Sequence, residues 1–208
     1  MPAFLQDCRH WVFDMDGTLT RAVHDFQFIR QQLEIPPEAD ILGYLDSLPA
    51  DQACAAHAWL MEHERALAER SIAAPGAVEL VQHLHQRGDR LAILTRNAQE
   101  LARVTLQAIG LDHCFSHADI LGREQAAPKP APDGMLRIAR NWQVDSSSLC
   151  MIGDFHFDLS SARRAGARAV LVNLPSNPWP DLSDYHAQNC SELLALLKRS
   201  RSNITKRP

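Results

Sequence analysis

The chain has 208 residues, 46% of them hydrophobic and 22% charged, which suits one α/β domain with a modest insertion and excludes a disordered, collagenous or disulfide-stapled chain. Lys and Arg number 21 against 25 Asp and Glu, a net charge of -4, and the basic residues are dispersed rather than striped. That pattern argues against a nucleic-acid binder, and no apolar run is long enough to span a bilayer. Asp7, Arg9, Asp14 and Asp16 interrupt the start too early for a secretory signal. The cysteines Cys8, Cys54, Cys114, Cys150 and Cys190 form no CxxC pair and read as reduced thiols, so a cytoplasmic location is expected. Of ten histidines His83 and His85 lie closest together, without the spacing of a zinc site.

Taken in chain order, Trp11-Val12-Phe13 is a short apolar run that reads as a buried strand. Residues 21–74 contain no strand pattern and read as three helices, over 24–34, 37–47 and 51–71, punctuated by Pro36-Pro37 and Pro49. Beyond Ala74-Pro75-Gly76 the chain alternates: a helix over 76–87, a strand at Leu91–Leu94, a helix over 98–109 and another over 132–141. A strand at Leu149–Ile152, a helix over 158–165 and a strand at Ala169–Val172 follow. Gly88, Gly110 and Gly166 stand where glycines end helices. Residues 174–180 form an irregular loop, Ser191 is expected to cap a last helix carrying Leu193, Leu194, Leu196 and Leu197, and Arg199 to Pro208 reads as a frayed tail. Strand alternating with helix implies an α/β fold, a doubly wound parallel sheet with helices on both faces. Its core is discontinuous, 1–20 and 75–208, with an all-helical insertion at 21–74.

In such a sheet, ligands bind beyond the carboxyl ends of the strands. The first run is followed by Asp14-Met15-Asp16-Gly17-Thr18, the second by Thr95-Arg96-Asn97, and the third by Gly153-Asp154 with Asp158 four residues on. Each segment alone reads more readily as a turn or helix cap. Together they gather carboxylates whose unpaired burial would cost several kcal/mol each, roughly, so a compensating cation is required. A hard divalent ion with oxygen ligands, Mg2+ above all, fits. Lys129, fenced by Pro128 and Pro130, adds a fixed ammonium. A carboxylate nucleophile, a second carboxyl to move protons, a cation, a lysine and a hydroxyl make a kit for phosphoryl transfer.

The strings Asp14-Met15-Asp16-Gly17-Thr18-Leu19-Thr20, Leu94-Thr95-Arg96-Asn97, Lys129-Pro130-Ala131-Pro132 and Gly153-Asp154-Phe155-His156-Phe157-Asp158, with Ala162 and Ala165-Gly166 behind, resemble the haloacid dehalogenase-like hydrolases in order and spacing over residues 10 to 197. The resemblance implies that Asp14 is the nucleophile forming an aspartyl-phosphate and a metal ligand. It implies that Asp16 is the general acid and base, ligating through its carbonyl, and that Thr95 and Lys129 hold phosphoryl oxygens, with Arg96 and Asn97 beside them at the substrate. Asp154 would complete a Mg2+ site, with Asp158 behind it. The insertion occupies the cap position of the phosphoglycolate-phosphatase-like branch, where a four-helix cap is usual and three helices fit here.

The function implied is a Mg2+-dependent phosphatase acting on a small phosphorylated metabolite, with no nucleic-acid or membrane partner. A phosphomutase on the same core is the alternative, and a non-catalytic phospho-ligand-binding regulator is the third reading, although every charged motif residue is retained. From the cap, Arg21 and His24 are candidate substrate contacts because they directly follow the catalytic loop, ahead of His63 and Arg65 on the last cap helix. His156 is either near the metal or a loop residue. Trp59, Leu60 and Leu67 have the spacing of cap core.

Overall fold

A computed structural model describes residues 2–22 and 25–204. His24, one of the expected substrate contacts, lies outside the described residues. Among the described residues six parallel strands form one sheet: β1 (His10–Phe13), β2 (Arg90–Leu94), β3 (Ile120–Leu121), β4 (Leu149–Gly153), β5 (Arg168–Leu171) and β6 (Tyr185–His186), in the order β3-β2-β1-β4-β5-β6. The chain winds outward from β1 through β2 to β3, then returns to pair β4 with the other side of β1. The turning point of the topology is therefore the gap between β1 and β4. There the carboxyl ends of two central strands are left uncovered by a connecting segment, which is where a doubly wound sheet binds ligands.

Successive side chains of the strands go to opposite layers. Trp11, Phe13, Ile93, Cys150, Ile152 and Val170 pack with α1 (Ala3–Asp7), α5 (Ala77–Gln86), α6 (Gln99–Ala108) and α9 (Cys190–Ile204), whereas Val12, Ala92, Leu94, Met151 and Leu171 pack with α7 (Asp133–Trp142) and α8 (His156–Arg164). Between β1 and α5 lie α2 (Phe26–Gln32), α3 (Ile41–Asp46) and α4 (Ala50–Glu69), with their own small core of Ile29, Ile35, Leu45 and Leu60. Thr20 bridges to Ala73, bringing the two ends of this helical excursion together. Its long helix α4 lies against α6. Among the described residues no helix is long and apolar enough to cross a membrane.

Four strands stand where the apolar runs predict them; β3 and β6 were not expected, because strands of two residues are too short to display a period. The short α1 was also missed. The last helix is capped by Asn189, whose side chain accepts the Glu192 N–H at 2.9 Å, not by Ser191. It continues through Arg199 to Ile204, so that part of the expected frayed tail is helical.

At the amino ends of the strands, opposite the β1/β4 gap, Asp89 is buried, accepts the Trp11 indole N–H at 2.9 Å and pairs with Arg87 at 2.9 Å. Asp89→Ala should strand the Arg87 guanidinium in the interior and lower the unfolding free energy by about 3 kcal/mol in urea titrations. A loss below about 1 kcal/mol would mean that water reaches this pair.

Candidate active site

The site forms because β1 and β4 end side by side. Asp14 extends the ladder, its N–H donating to the Ile152 carbonyl at 3.0 Å. Met15 turns into the core, so Asp14 and Asp16 on either side of it both line a cavity of about 390 Å³. The N–H groups of Leu19 and Thr20 then fold back onto the Met15 carbonyl at 2.9 and 3.0 Å, closing a tight loop. Gly17 in this loop has φ +87°, and a Cβ there would fall 2.3 Å from an Asp154 oxygen, so only glycine lets the loop approach that carboxylate.

Lys129 is the hub. Its buried ammonium donates to Asp14 Oδ1 at 2.5 Å and Asp158 Oδ1 at 2.6 Å. The other oxygen of Asp158 accepts the Phe155 N–H at 3.1 Å, so this carboxylate caps α8 and anchors the lysine at once. Such close approach of α8 to β4 depends on Gly153, where a Cβ would meet Asp158 at 2.3 Å. Ser161 on the same helix donates to the Ala131 carbonyl at 2.8 Å, holding the lysine loop from behind. Asp154 accepts the Thr18 hydroxyl at 2.7 Å. Thr95 is buried at the end of β2, its hydroxyl oxygen accepting the Asn97 N–H at 3.0 Å, which leaves its O–H to donate into the cavity; both Thr95 and Asn97 line it.

One ammonium thus faces several carboxylates. Burial raises the Asp14 pKa despite the Lys129 charge, and burial together with the nearby Asp14 charge pushes Asp154 up to about 6. Asp158 is raised by burial and by Asp14, against the pull of Lys129. Burial opposes the charged lysine, but Asp14 and Asp158 outweigh it and hold its pKa above the ordinary value. Oxygens of Asp14, Asp154 and Asp158 lie within 4.8 Å of one another, a set of hard donors in charge excess that fits a divalent cation of the Mg2+ type.

Other expected residues are placed less centrally. Arg96 lines the cavity with its guanidinium over the Phe157 ring, 5.2 Å from the centroid, and within 3.5 Å of Asp40 on the helical excursion. Arg21 is exposed, its N–H bonded to the Ile72 carbonyl, and Ala22 lines the cavity in its stead. From α4 it is Glu64 that faces the site, not His63, which stacks on Trp59, nor Arg65, which pairs with Glu100 of α6. Glu64 in turn pairs with Arg123 at 3.2 Å. The spacing Leu60, Glu64, Ala68 would have found it, since both apolar members are buried and a helix brings every fourth residue to one face. Asn173, just past β5, was also missed: its side-chain amide donates to the Gly17 and Thr18 carbonyls at 2.7 and 2.9 Å. His156 packs among Phe155, Phe157 and Trp179.

A family model described as haloacid dehalogenase-like hydrolase matches residues 8–166. A haloacid dehalogenase-like hydrolase domain-containing protein of Arabidopsis thaliana is 31% identical over 182 residues, which cover 82% of this chain and 73% of that protein. A phosphoglycolate phosphatase of Aliivibrio fischeri is 29% identical, covering 94% of this chain and 99% of its own. A hydrolase from Pseudomonas syringae has a crystal structure that superposes with a TM-score of 0.72 at 26% identity, over 92% of this chain and 98% of that one. The chain belongs to the haloacid dehalogenase-like hydrolases. As a member of that family it is a hydrolase.

The raised pKa of Asp154 has a thermodynamic consequence. In chelator the folded state binds this proton more tightly than the unfolded chain, so the contribution of Asp154 to stability falls as pH rises from about 4 through the folded value near 6. Asp154→Asn removes the penalty: in chelator it should be as stable as the parent at pH 4 and more stable at pH 7.5, by about 3 kcal/mol at most. Saturating Mg2+ should shrink that gap or reverse it. A gap independent of pH in urea titrations would contradict the assignment.

Proposed function

We propose that this hydrolase is a Mg2+-dependent phosphatase that cleaves a small phosphomonoester through an aspartyl-phosphate on Asp14. The observation that supports it is the buried Lys129 ammonium shared by Asp14 and Asp158, with Asp16, Asp154 and Thr95 on the same strand ends. In this reading an Asp14 carboxylate oxygen bonds to phosphorus while the ester P–O bond breaks, and the departing oxygen takes a proton from the Asp16 carboxyl. Asp16, now ionised, accepts a proton from water as that water attacks the phosphorus, the bond to Asp14 breaks and phosphate is released.

Lys129, the Thr95 hydroxyl, Arg96 and Asn97 bind the phosphoryl oxygens. Lys129 also pulls the Asp14 pKa down against the burial that raises it. Asp14, Asp154 and the Asp16 carbonyl would hold Mg2+, which supplies positive charge against the carboxylates and the phosphoryl oxygens. Asp158, with one oxygen on Lys129 and the other on the Phe155 N–H, positions the lysine. We assign residues 21–74 as a cap over a core of 1–20 and 75–208. It meets the core through Glu64–Arg123, Arg65–Glu100 and Asp40–Arg96.

Asp14→Asn keeps the shape and removes the nucleophile, so Mg2+-dependent phosphate release from a panel of phosphomonoesters should fall by at least about a thousandfold while the fold survives. Near-normal turnover in this variant would overturn the covalent route, and product isomerisation without phosphate release would mean a mutase. Asp154→Asn should raise the Mg2+ concentration needed for half-maximal rate more than Asp158→Asn, whose main effect should be on the maximal rate. The reverse order would exchange the two roles.

A further inference from the structure

The cavity that contains Asp14 and Asp16 is walled, away from the carboxylates, by rings. Phe26 at the start of α2 is 57% exposed and Phe155, directly after Asp154, is 45% exposed; both line it, with Phe157 and Ala22. Large apolar side chains left this open beside buried charge are the informative kind of exposure. On the core side the rings support one another: Phe155 and Phe157 meet edge to face with centroids 5.1 Å apart, and Trp179 meets Phe155 edge to face at 5.4 Å. The platform is thereby fixed in orientation before anything binds.

Volume and charge point the same way. A phosphoryl group on a two-carbon leaving group would fill only part of about 390 Å³, and Phe26, Glu64 and Arg96 also line a second hollow of about 310 Å³, whose walls mix Ile29, Ile41 and Leu60 with Arg30, Asp40 and Arg123. A leaving group with its own carboxylate would meet Asp16 in this cavity, beside a Glu64 already paired with Arg123. The cavity's arginine, Arg96, already has Asp40 within 3.5 Å and lies over Phe157.

Resting on the phosphatase reading for the position of the phosphoryl group, we infer that the leaving group is an uncharged aromatic or heteroaromatic ring carried on a short linker to the ester oxygen. The ring lies between Phe26 of the cap and the Phe155–Phe157 platform of the core. Ring burial against preset rings favours such ligands over alkyl or carboxylate ones of equal reactivity.

The test uses binding as well as turnover. Calorimetric titration in Mg2+ with benzylphosphonate, ethylphosphonate and phosphonoacetate should give an affinity for the benzyl compound at least about tenfold above either of the others. Phe26→Ala and Phe155→Ala truncate half-exposed rings and should leave the fold intact; in each, the benzyl-over-ethyl ratio should drop to within about threefold of unity. Equal affinities, preference for phosphonoacetate, no binding of any of the three, or a ratio unmoved in both variants would overturn the inference. Hydrolysis of benzyl and ethyl phosphate by the parent enzyme is followed in parallel. Absence of any phosphate release there, with the benzyl preference intact in binding, would count against the phosphatase reading and in favour of the ring site.

Discussion

The site depends on one buried cation. Lys129 has its ammonium 2.5 and 2.6 Å from oxygens of Asp14, at the end of β1, and Asp158, on α8, carboxylates that would otherwise repel each other in a desolvated interior. Such an arrangement is tolerable only when geometry satisfies the charges closely, because each unpaired member would carry the full desolvation cost. The local architecture follows from that demand. Gly153 lets α8 come close enough for Asp158 to reach the lysine, Ser161 secures the lysine loop, and the turn at Met15 places Asp16 beside Asp14. Lys129 still leaves the cluster negative, and the Asp14 charge adds to burial in raising the Asp154 pKa.

The helical excursion adds to this charge cluster a surface of a different kind. Its core of Ile29, Ile35, Leu45 and Leu60 is small, and its attachment to the sheet layer combines α4 lying along α6 with three ion pairs at the margin. Two of those pairs are substantially exposed, so their individual contributions are small. What they fix is the angle at which Phe26 and Glu64 face the strand ends. In the proposed phosphatase, binding energy at a distance from the reacting phosphorus would act on the rate, since it is collected by groups that do not take part in the chemistry.

Much of this was legible in the sequence. Strands buried on both faces are continuous apolar runs, and four of them announced the sheet. Asp14, Asp16, Thr95, Asp154 and Lys129 could be singled out because each follows such a run or sits in a proline-fenced loop, and the structure gathers all five at one end of the sheet. What escaped depends on tertiary phase rather than on order along the chain. β3 and β6 have too few residues to carry a pattern, and their existence is decided by the neighbouring strand. Glu64 was passed over for His63 and Arg65 because residue type was weighed above helical phase. Asn173 lies after the last recognised strand with nothing local to distinguish it, and its importance exists only once Gly17 and Thr18 are folded beneath it.

That asparagine has a bearing on what counts as the minimal catalytic unit. The family pattern covers residues 8–166 and contains every charged group of the site, but the amide that grips the loop carbonyls stands at 173, in the left-handed region at φ 62°, where β5 ends. A fragment trimmed to the recognisable pattern would keep the whole inventory of reactive groups and lose the clasp that sets their spacing. The segment that follows β5 therefore shapes the loop of Gly17 and Thr18, although it contributes no reactive group of its own. In this chain the family pattern ends before the residue that holds the loop in place.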